Sequence, residues 1–244
     1  MPTNSSRTKV RSLAKTAWRR AGCAFLVAVL LLPARGGAAE LLISHGPRHL
    51  PRVALTFDVC QVPGKPAGFD RAIVKILRES QTPATFFLGG EWLRTHPQEA
   101  RELAAETSFE LANHSSTHPD LRRRSAAEIA AEIAHTEALL LSLRGAGSRL
   151  FRLPYGYHDE RVLREVAAHA VRIIQWDVVS GDPDPQVSAA AMIKAVPAQA
   201  RNGSIIIFHA NGRGWHTAEA LPQVIAALRR KGFELVTVGT LLAP

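Results

Sequence analysis

Polar and aromatic residues that could do chemistry recur directly after short apolar runs of this 244-residue sequence. Five runs end in this way, and the residues at their ends are Asp58, Asn113 with His114, Arg152, Trp176 with Asp177, and His209. A single aspartate in such a place is most often a helix cap or a turn residue. Independent caps would not select two histidines, a carboxylate and an arginine so regularly, so the recurrence favours an active site.

Two of these histidines have the spacing of a metal site. His114 and His118 stand four residues apart in the sequence HSSTH. On a helical turn this spacing would place both imidazoles on one side, where they could share an ion such as zinc. Pro119 disfavours helical backbone at His118, so we expect an irregular turn. The alternative is a pair of polar loop histidines that bind nothing.

His209 is the candidate for proton transfer. It follows the most apolar run of the chain, residues 205–208. The intrinsic pKa of histidine suits a general acid or base, and burial beside a carboxylate could tune it. The alternative is a core histidine whose ring is satisfied by hydrogen bonds.

The elements that must position these residues are short β-rich runs, which alternate with helical patterns from Val53 to the end. We predict seven strands, at residues 53–57, 84–88, 109–112, 150–152, 171–175, 204–208 and 234–236. Helices are predicted at 69–80, 97–106, 126–143, 160–169, 189–200 and 217–231, with Gly145 and Gly232 as stops. This alternation predicts an α/β fold with a parallel sheet, as a nearly closed barrel or as an open doubly wound sheet. In both folds the active-site residues lie at the carboxyl ends of the strands.

The net charge of +9 is concentrated at the amino terminus. Seven of the 30 basic residues and none of the 21 acidic residues lie in residues 1–39, which leaves 23 basic against 21 acidic residues in the rest. A basic surface for nucleic acid is therefore not expected on the body of the protein.

Residues 1–39 have the pattern of an export signal. Basic residues ending at Arg19 and Arg20 precede an apolar run at 21–32, and small residues follow up to Ala39. We expect cleavage after Ala39, a catalytic domain at 40–244, and a location in the periplasm or outside the cell without a stable membrane span. The alternative is an uncleaved membrane anchor, for which the apolar run is short.

Cleavage at that point would leave Cys60 as the only cysteine. No intramolecular disulfide could then form, and the core alone must stabilise a domain of this length. The oligomeric state cannot be predicted from these residues.

Five motifs in order carry a resemblance to a known family. They are TFD, HSSTH, RLPYG, a Trp-Asp pair after a strand, and IFH. In this order and spacing the sequence resembles the polysaccharide deacetylases, also called the nodulation-protein B homology family or carbohydrate esterase family four. The resemblance covers roughly residues 51–242.

The resemblance implies a distorted (β/α) barrel and a role for each matching residue. Asp58 would be the general base on a water bound to a divalent metal ion, zinc by preference, and Arg152 would orient it. His114 and His118 would hold the metal, and His209 would protonate the leaving amine. The backbone N–H of Tyr155 would help to hold the oxyanion. A wall of the sugar groove would come from Pro154, Tyr155 and Trp176, for which ordinary packing is an equal alternative.

Two departures from the family pattern concern the metal and the acid. The family has a second aspartate directly after the first as a metal ligand, whereas this sequence has Val59 and then Cys60. Weaker metal binding or a different ion is therefore expected. Cys60 could substitute as a thiolate, but a buried free cysteine is usually inert. The family's D-x-x-D-W corresponds here to V-S-G-D-P, so we assign Asp182 as the partner of His209, with Asp177 and Asp184 as the alternatives.

The function expected from these residues is removal of acetyl groups from an N-acetylated sugar polymer such as peptidoglycan or chitin-type oligosaccharide. Amide hydrolysis needs an activated water, a stabilised oxyanion and a proton for nitrogen, and different strand ends would supply them. Two alternatives remain. One is the same machinery acting on an O-acetyl ester or a non-sugar amide. The other is a sugar-binding protein without catalysis, which Val59 alone supports.

Overall fold

The computed structural model describes residues 41–61, 64 and 67–243, so the predicted export signal lies outside the described residues. The described chain contains nine strands: β1 (Leu42–Ile43), β2 (Arg52–Val59), β3 (Ala84–Leu88), β4 (Phe109–Asn113), β5 (Leu150–Phe151), β6 (Arg172–Ile174), β7 (Val178–Val179), β8 (Ile205–His209) and β9 (Glu234–Val236). Its eight α-helices are α1 (Arg71–Glu79), α2 (Gly90–Thr95), α3 (Pro97–Ala104), α4 (Ala126–Arg144), α5 (Glu160–Ala167), α6 (Ala189–Gln199), α7 (Thr217–Arg230) and α8 (Val238–Leu241).

The strands form one parallel sheet that curls into a distorted barrel. Its order is β1-β6-β5-β4-β3-β2-β8-β7, and β9 pairs with the start of β2. An antiparallel bridge between His45 and Ser204 links the segment after β1 to the start of β8. The prediction of a distorted (β/α) barrel is confirmed. The two-residue strands β1 and β7 are not among the predicted strands.

Alternation along β2 separates the helix-facing side of the sheet from the barrel interior. Residues 53, 55, 57 and 59 pack into a large core with side chains of α1, α6 and α7. Ala54 lies instead in a second cluster with Phe87 and Ile205, from neighbouring strands. Thr56 and Asp58 share this inner side and contact Arg152. The period of two in a strand thus directs Asp58 into the barrel.

Helix ends follow local sequence signals. Ser125 and Glu128 form a capping box at the start of α4, and Gly145 ends that helix with φ of 71°. Asp159 caps α5 by accepting a hydrogen bond from the N–H of Val162. None of the helices in the described part of the chain has the length and apolar composition that crossing a bilayer requires.

Candidate active site

A buried ion pair at the end of β2 anchors the site. Nη1 of Arg152 donates to Oδ1 of Asp58 at 2.7 Å and to the hydroxyl of Thr56 at 2.9 Å. The guanidinium also lies 3.9 Å from the ring centre of Phe87. Asp58 and Arg152 are almost entirely buried. Because an unpaired charge here would be costly, each partner fixes the position of the other.

The ring of His114 contacts a backbone carbonyl group through one nitrogen, and its other nitrogen faces Asp58. Its Nδ1 lies 3.0 Å from the carbonyl oxygen of Arg152, so that nitrogen carries the proton and donates. Its Nε2 is 3.4 Å from Oδ2 of Asp58. In the neutral ring Nε2 is therefore the nitrogen with a free lone pair.

His118 reaches His114 through an irregular loop, and the helical turn considered for HSSTH is wrong. Ser115 and His118 have left-handed backbone, with φ of 64° and 56°. Within this loop the N–H of His118 donates to the hydroxyl of Ser115. The loop brings the two ring centres to 4.8 Å from each other. The irregularity expected from Pro119 is confirmed, and it is what brings the two rings together.

Cys60 completes a cluster with these two histidines. One donor atom from each of Cys60, His114 and His118 lies within 4.8 Å of the other two, and all three residues are buried. The amide of Asn211 donates to the carbonyl oxygen of Cys60 at 2.8 Å and lies 3.8 Å from its sulfur. Val59 points away from this cluster into the core against the helices.

His209 ends β8 and is bound by Asp182. Nδ1 of His209 lies 2.8 Å from Oδ1 of Asp182, and its backbone N–H donates to Oδ2 at 2.7 Å. The hydroxyls of Ser180 and Thr217 also donate to this carboxylate. Among the three candidate carboxylates, the structure places Asp182 against His209.

The other two candidates lie elsewhere. Asp177 pairs with Arg48 at 2.8 Å and accepts from the N–H of Ile205. Asp184 is exposed and caps a turn through the N–H of Gln186. Neither residue lines the cavity described next.

A cavity of about 300 Å³ joins these groups. Asp58, Cys60, His118, Asp182 and His209 line it together with Tyr155, Tyr157, Trp176 and Arg213. The sequence analysis missed two of these residues. Tyr157 comes two residues after Tyr155 in the same turn, and its ring stacks on that of Tyr155 at 5.4 Å. Arg213 lies in the loop after β8, where no sequence pattern marked it.

The turn 154–156 carries the aromatic wall of the cavity. Tyr155 has φ of 58° and is 42% exposed, and its ring lies 4.4 Å from that of His118. Pro154 is buried, begins the turn and does not line the cavity, and its assignment to substrate contact stays a prediction. Gly156 and Tyr157 use their N–H groups within the turn. We find no hydrogen bond from the N–H of Tyr155 to any described residue, which leaves it available to an oxyanion.

Comparison with known proteins identifies the family. A family model described as polysaccharide deacetylase matches residues 45–174, which is more than half of the chain. The chain belongs to the polysaccharide deacetylase family. It is therefore a hydrolase of the carbohydrate deacetylase class, as predicted, and acts on carbon–nitrogen bonds other than peptide bonds.

Relatives of this deacetylase are named as deacetylases of chitooligosaccharide and peptidoglycan. It is 32% identical over 197 residues to a chitooligosaccharide deacetylase of Sinorhizobium fredii, covering 75% of this chain and 88% of that protein. It is 31% identical over 195 residues to a peptidoglycan-N-acetylglucosamine deacetylase of Bacillus cereus, covering 79% and 69%. A crystal structure of a peptidoglycan N-acetylglucosamine deacetylase superposes with a TM-score of 0.76 at 30% identity, over 83% of this chain and 92% of that one.

The donor atoms in this deacetylase fit a divalent metal ion. Nδ1 of His118 is buried and has no hydrogen-bond partner among the described residues. Burial lowers the pKa of His114 and lowers that of His118 to about 3, so both imidazoles are neutral, as metal ligation requires. Imidazole and sulfur donors suit zinc and related transition metals.

The charge of Asp58 suits a base. Burial alone would raise the pKa of this carboxyl, but Arg152, His114 and His209, together with the hydrogen bond from Arg152, hold the pKa below its usual value. Asp58 is therefore ionised at neutral pH and can accept a proton. Burial raises the pKa of the Cys60 thiol, with the charge of Asp58 acting in the same direction.

Proposed function

We propose that this deacetylase is a metal-dependent enzyme that removes acetyl groups from N-acetylated sugar polymers, such as peptidoglycan or chitin-type oligosaccharides. One observation carries the proposal. Asp58 and His209 are register partners on the neighbouring strands β2 and β8, and both line one cavity. Each has its own fixed partner, Arg152 or Asp182. A base and an acid are thus held side by side.

His114 and His118 would hold the divalent metal. When bound, the metal supplies Lewis acidity, which polarises the acetyl carbonyl and makes water easier to deprotonate. The aligned nitrogen donors and the neutral imidazoles support this assignment.

Asp58 would take the proton from the attacking water. One of its oxygens is bound by Arg152, which leaves the other free to accept. The water oxygen forms a bond to the acetyl carbon, and the carbonyl oxygen becomes an oxyanion. The backbone N–H of Tyr155 would donate to that oxyanion.

His209 would return a proton to the nitrogen of the sugar. Asp182 binds Nδ1 of His209, so that Nε2 is the nitrogen left to face the substrate. The carbon–nitrogen bond then breaks with a proton on nitrogen, and the products are acetate and the free amine. The proton that Asp58 takes from water then passes through solvent to restore His209, so water supplies the oxygen of acetate and, in net terms, the proton of the amine.

Aromatic rings around the cavity support a sugar substrate. Tyr155 and Tyr157 are each more than 40% exposed, and Trp176 lines the same space. At about 300 Å³ the cavity lies at the small end of ligand sites, which suits one sugar unit with its acetamido group. The activities of the relatives on chitooligosaccharide and peptidoglycan agree with this class of substrate.

Acetate release from N-acetylglucosamine oligomers tests the proposal. The full chain is stripped with a chelator and then restored with zinc, cobalt or nickel. We expect release to be lost and then recovered, and Asp58→Asn to lower it by at least about 100-fold. Asp184→Asn, which changes an exposed aspartate outside the cavity, should keep the wild-type rate.

Other outcomes separate the alternatives. Faster release from O-acetylated xylan than from the N-acetylated oligomers would redirect the proposal to esters. Saccharide binding without any release, in a protein shown to be folded and loaded with metal, would indicate a binding protein and overturn the proposal.

A further inference from the structure

The position of Cys60 in the chain directs its side chain into the active site. Residues 54, 56 and 58 of β2 face the barrel interior, and residues 53, 55, 57 and 59 face the helices. Cys60 directly follows the strand and continues the inner series, so it lines the same cavity as Asp58. Asp58 and Cys60 are two positions apart, which is the spacing that puts strand side chains on one face.

The same alternation removes position 59 from the metal site. Val59 is fully buried among apolar side chains on the helix side of the sheet. An ion at His114 and His118 would therefore receive no charge from position 59. Asp58 is bound by Arg152 and is needed as the base, so a different anionic donor is required for a tight site.

Two observations besides the cysteine itself point to a ligand at this place. The donor atoms of Cys60, His114 and His118 are within 4.8 Å of one another. The ring of His118 is only 5% exposed and lines the cavity, and its Nδ1 has no partner in the described part of the chain. A buried polar atom without a partner is costly unless something binds it.

We infer that Cys60 is the third protein ligand of the metal, so that the site consists of one thiolate and two imidazoles. The inference rests on the proposed metal-dependent function and specifies its ligand set. Binding of the ion releases the thiol proton to solvent, and sulfur then supplies the negative charge that Val59 cannot. Three protein ligands leave a position open, which is the arrangement of catalytic zinc sites.

A thiolate changes which ions the site prefers. Sulfur and imidazole donors favour zinc and cobalt over magnesium and calcium, which prefer oxygen. Asn211 donates to the carbonyl oxygen of Cys60, and the same amide nitrogen lies 3.8 Å from the sulfur.

X-ray absorption and cobalt spectroscopy on the full chain test the ligand set without using activity. The background variant is Cys23→Ser, which leaves Cys60 as the only cysteine of the two in the sequence. A non-thiol reductant keeps the thiol reduced. We expect a zinc–sulfur shell at about 2.3 Å beside zinc–nitrogen at about 2.0–2.1 Å. The cobalt form should show the near-ultraviolet charge-transfer band of a thiolate ligand.

Cys60→Ser in the same background is the matched comparison. It should lose the sulfur shell and the charge-transfer band, and its zinc affinity should fall by more than about 100-fold, since a first ligand matters more than the outer residues whose loss costs up to that much. Thermal unfolding of the metal-free proteins checks that serine at this buried position leaves the fold intact. If the variant does not fold, the absorption spectrum of the Cys23→Ser protein alone decides.

The possible failures are distinguishable. Zinc bound stoichiometrically with nitrogen and oxygen neighbours only, or an unchanged zinc affinity in Cys60→Ser, would overturn the thiolate ligand and leave the deacetylase proposal in place. A sulfur shell in a protein that releases no acetate would support the ligand set and contradict the proposed function.

Discussion

At the scale of single residues, the two carboxylates of the site differ in how much of their hydrogen-bonding capacity is already used. Asp58 is bound by one arginine nitrogen, and its other oxygen lies 3.4 Å from Nε2 of His114. Asp182 accepts from two hydroxyls, a backbone N–H and the ring of His209. A carboxylate satisfied in this way has no lone pair left for the substrate. We therefore expect Asp58 to be the reactive carboxylate and Asp182 to be a positioning residue.

Replacement of Asp182 tests this division. In Asp182→Asn the ring of His209 loses the acceptor that fixes its tautomer, and we expect kcat to fall by between about 10²- and 10⁴-fold with KM little changed. A matched control is Asp177→Asn, whose carboxylate binds Arg48, Ser204 and the N–H of Ile205 outside the cavity. This control should lose stability but keep kcat. Equal losses of kcat in both variants would show that Asp182 acts only through stability.

At the scale of elements, the reactive residues are the last inward-facing positions of their strands or the positions just after them. Asp58, Arg152 and His209 all stand at the carboxyl ends of strands of one parallel sheet. Their predicted grouping required only the correct assignment of these strands. All seven predicted strands are present, and β2, β3 and β8 are almost entirely buried runs of mainly apolar residues.

Features that depend on backbone detail could not be predicted from the sequence. The spacing of His114 and His118 predicts that their rings meet on a helical turn. The rings do meet, but left-handed residues in a loop bring them together. The motif RLPYG predicts that Pro154 lines the sugar groove. In the structure the turn buries Pro154 and exposes Tyr155. The inward direction of Cys60 needed the end of β2 at Val59, which the predicted strand 53–57 placed two residues too early.

The strand alternation makes a prediction about Val59→Asp. The family pattern implies an aspartate ligand at this position, but here the side chain would be buried in the helix-facing core. We expect a loss of at least about 2 kcal/mol in the free energy of unfolding, with no gain in zinc affinity. Val179→Asp, at a valine that is 53% exposed, should cost less than about 1 kcal/mol. A tenfold gain in zinc affinity with unchanged stability would show that residue 59 turns into the site.

A pair of glycines tests how the turn 154–156 supports the aromatic wall. Gly156 and Gly145 both have φ of 71°, so alanine at either should cost about 1–2 kcal/mol of stability. A Cβ at Gly156 would also lie 3.0 Å from Trp176, whereas nothing lies within 4 Å at Gly145. Gly156→Ala should therefore also raise KM for oligomers several-fold, and Gly145→Ala should not. Equal KM values in steady-state assays would show that Trp176 does not contact the substrate.

At the scale of the whole molecule, the barrel interior changes in character along its axis. One part is filled by apolar side chains such as Ala54, Phe87 and Ile205, and the carboxyl end of the strands holds the buried polar groups. The apolar part supplies stability without any disulfide among the described residues. A domain of this size can rely on its core alone.

Export of the protein is the prediction that belongs to this scale. We propose that residues 1–39 direct the chain across the cytoplasmic membrane and are removed after Ala39, because a basic stretch, an apolar run and small residues follow one another there. Peptidoglycan lies outside that membrane, so a deacetylase that acts on it must be exported to reach it. Cell fractionation with amino-terminal sequencing should recover a chain that begins at Glu40 outside the cytoplasm. Arginine in place of Leu30 and Leu31 should interrupt the apolar run and retain the full chain in the cytoplasm. Recovery of the uncleaved chain in the membrane fraction would instead identify the segment as an anchor, and recovery of the unmodified wild-type chain in the cytoplasm would contradict export.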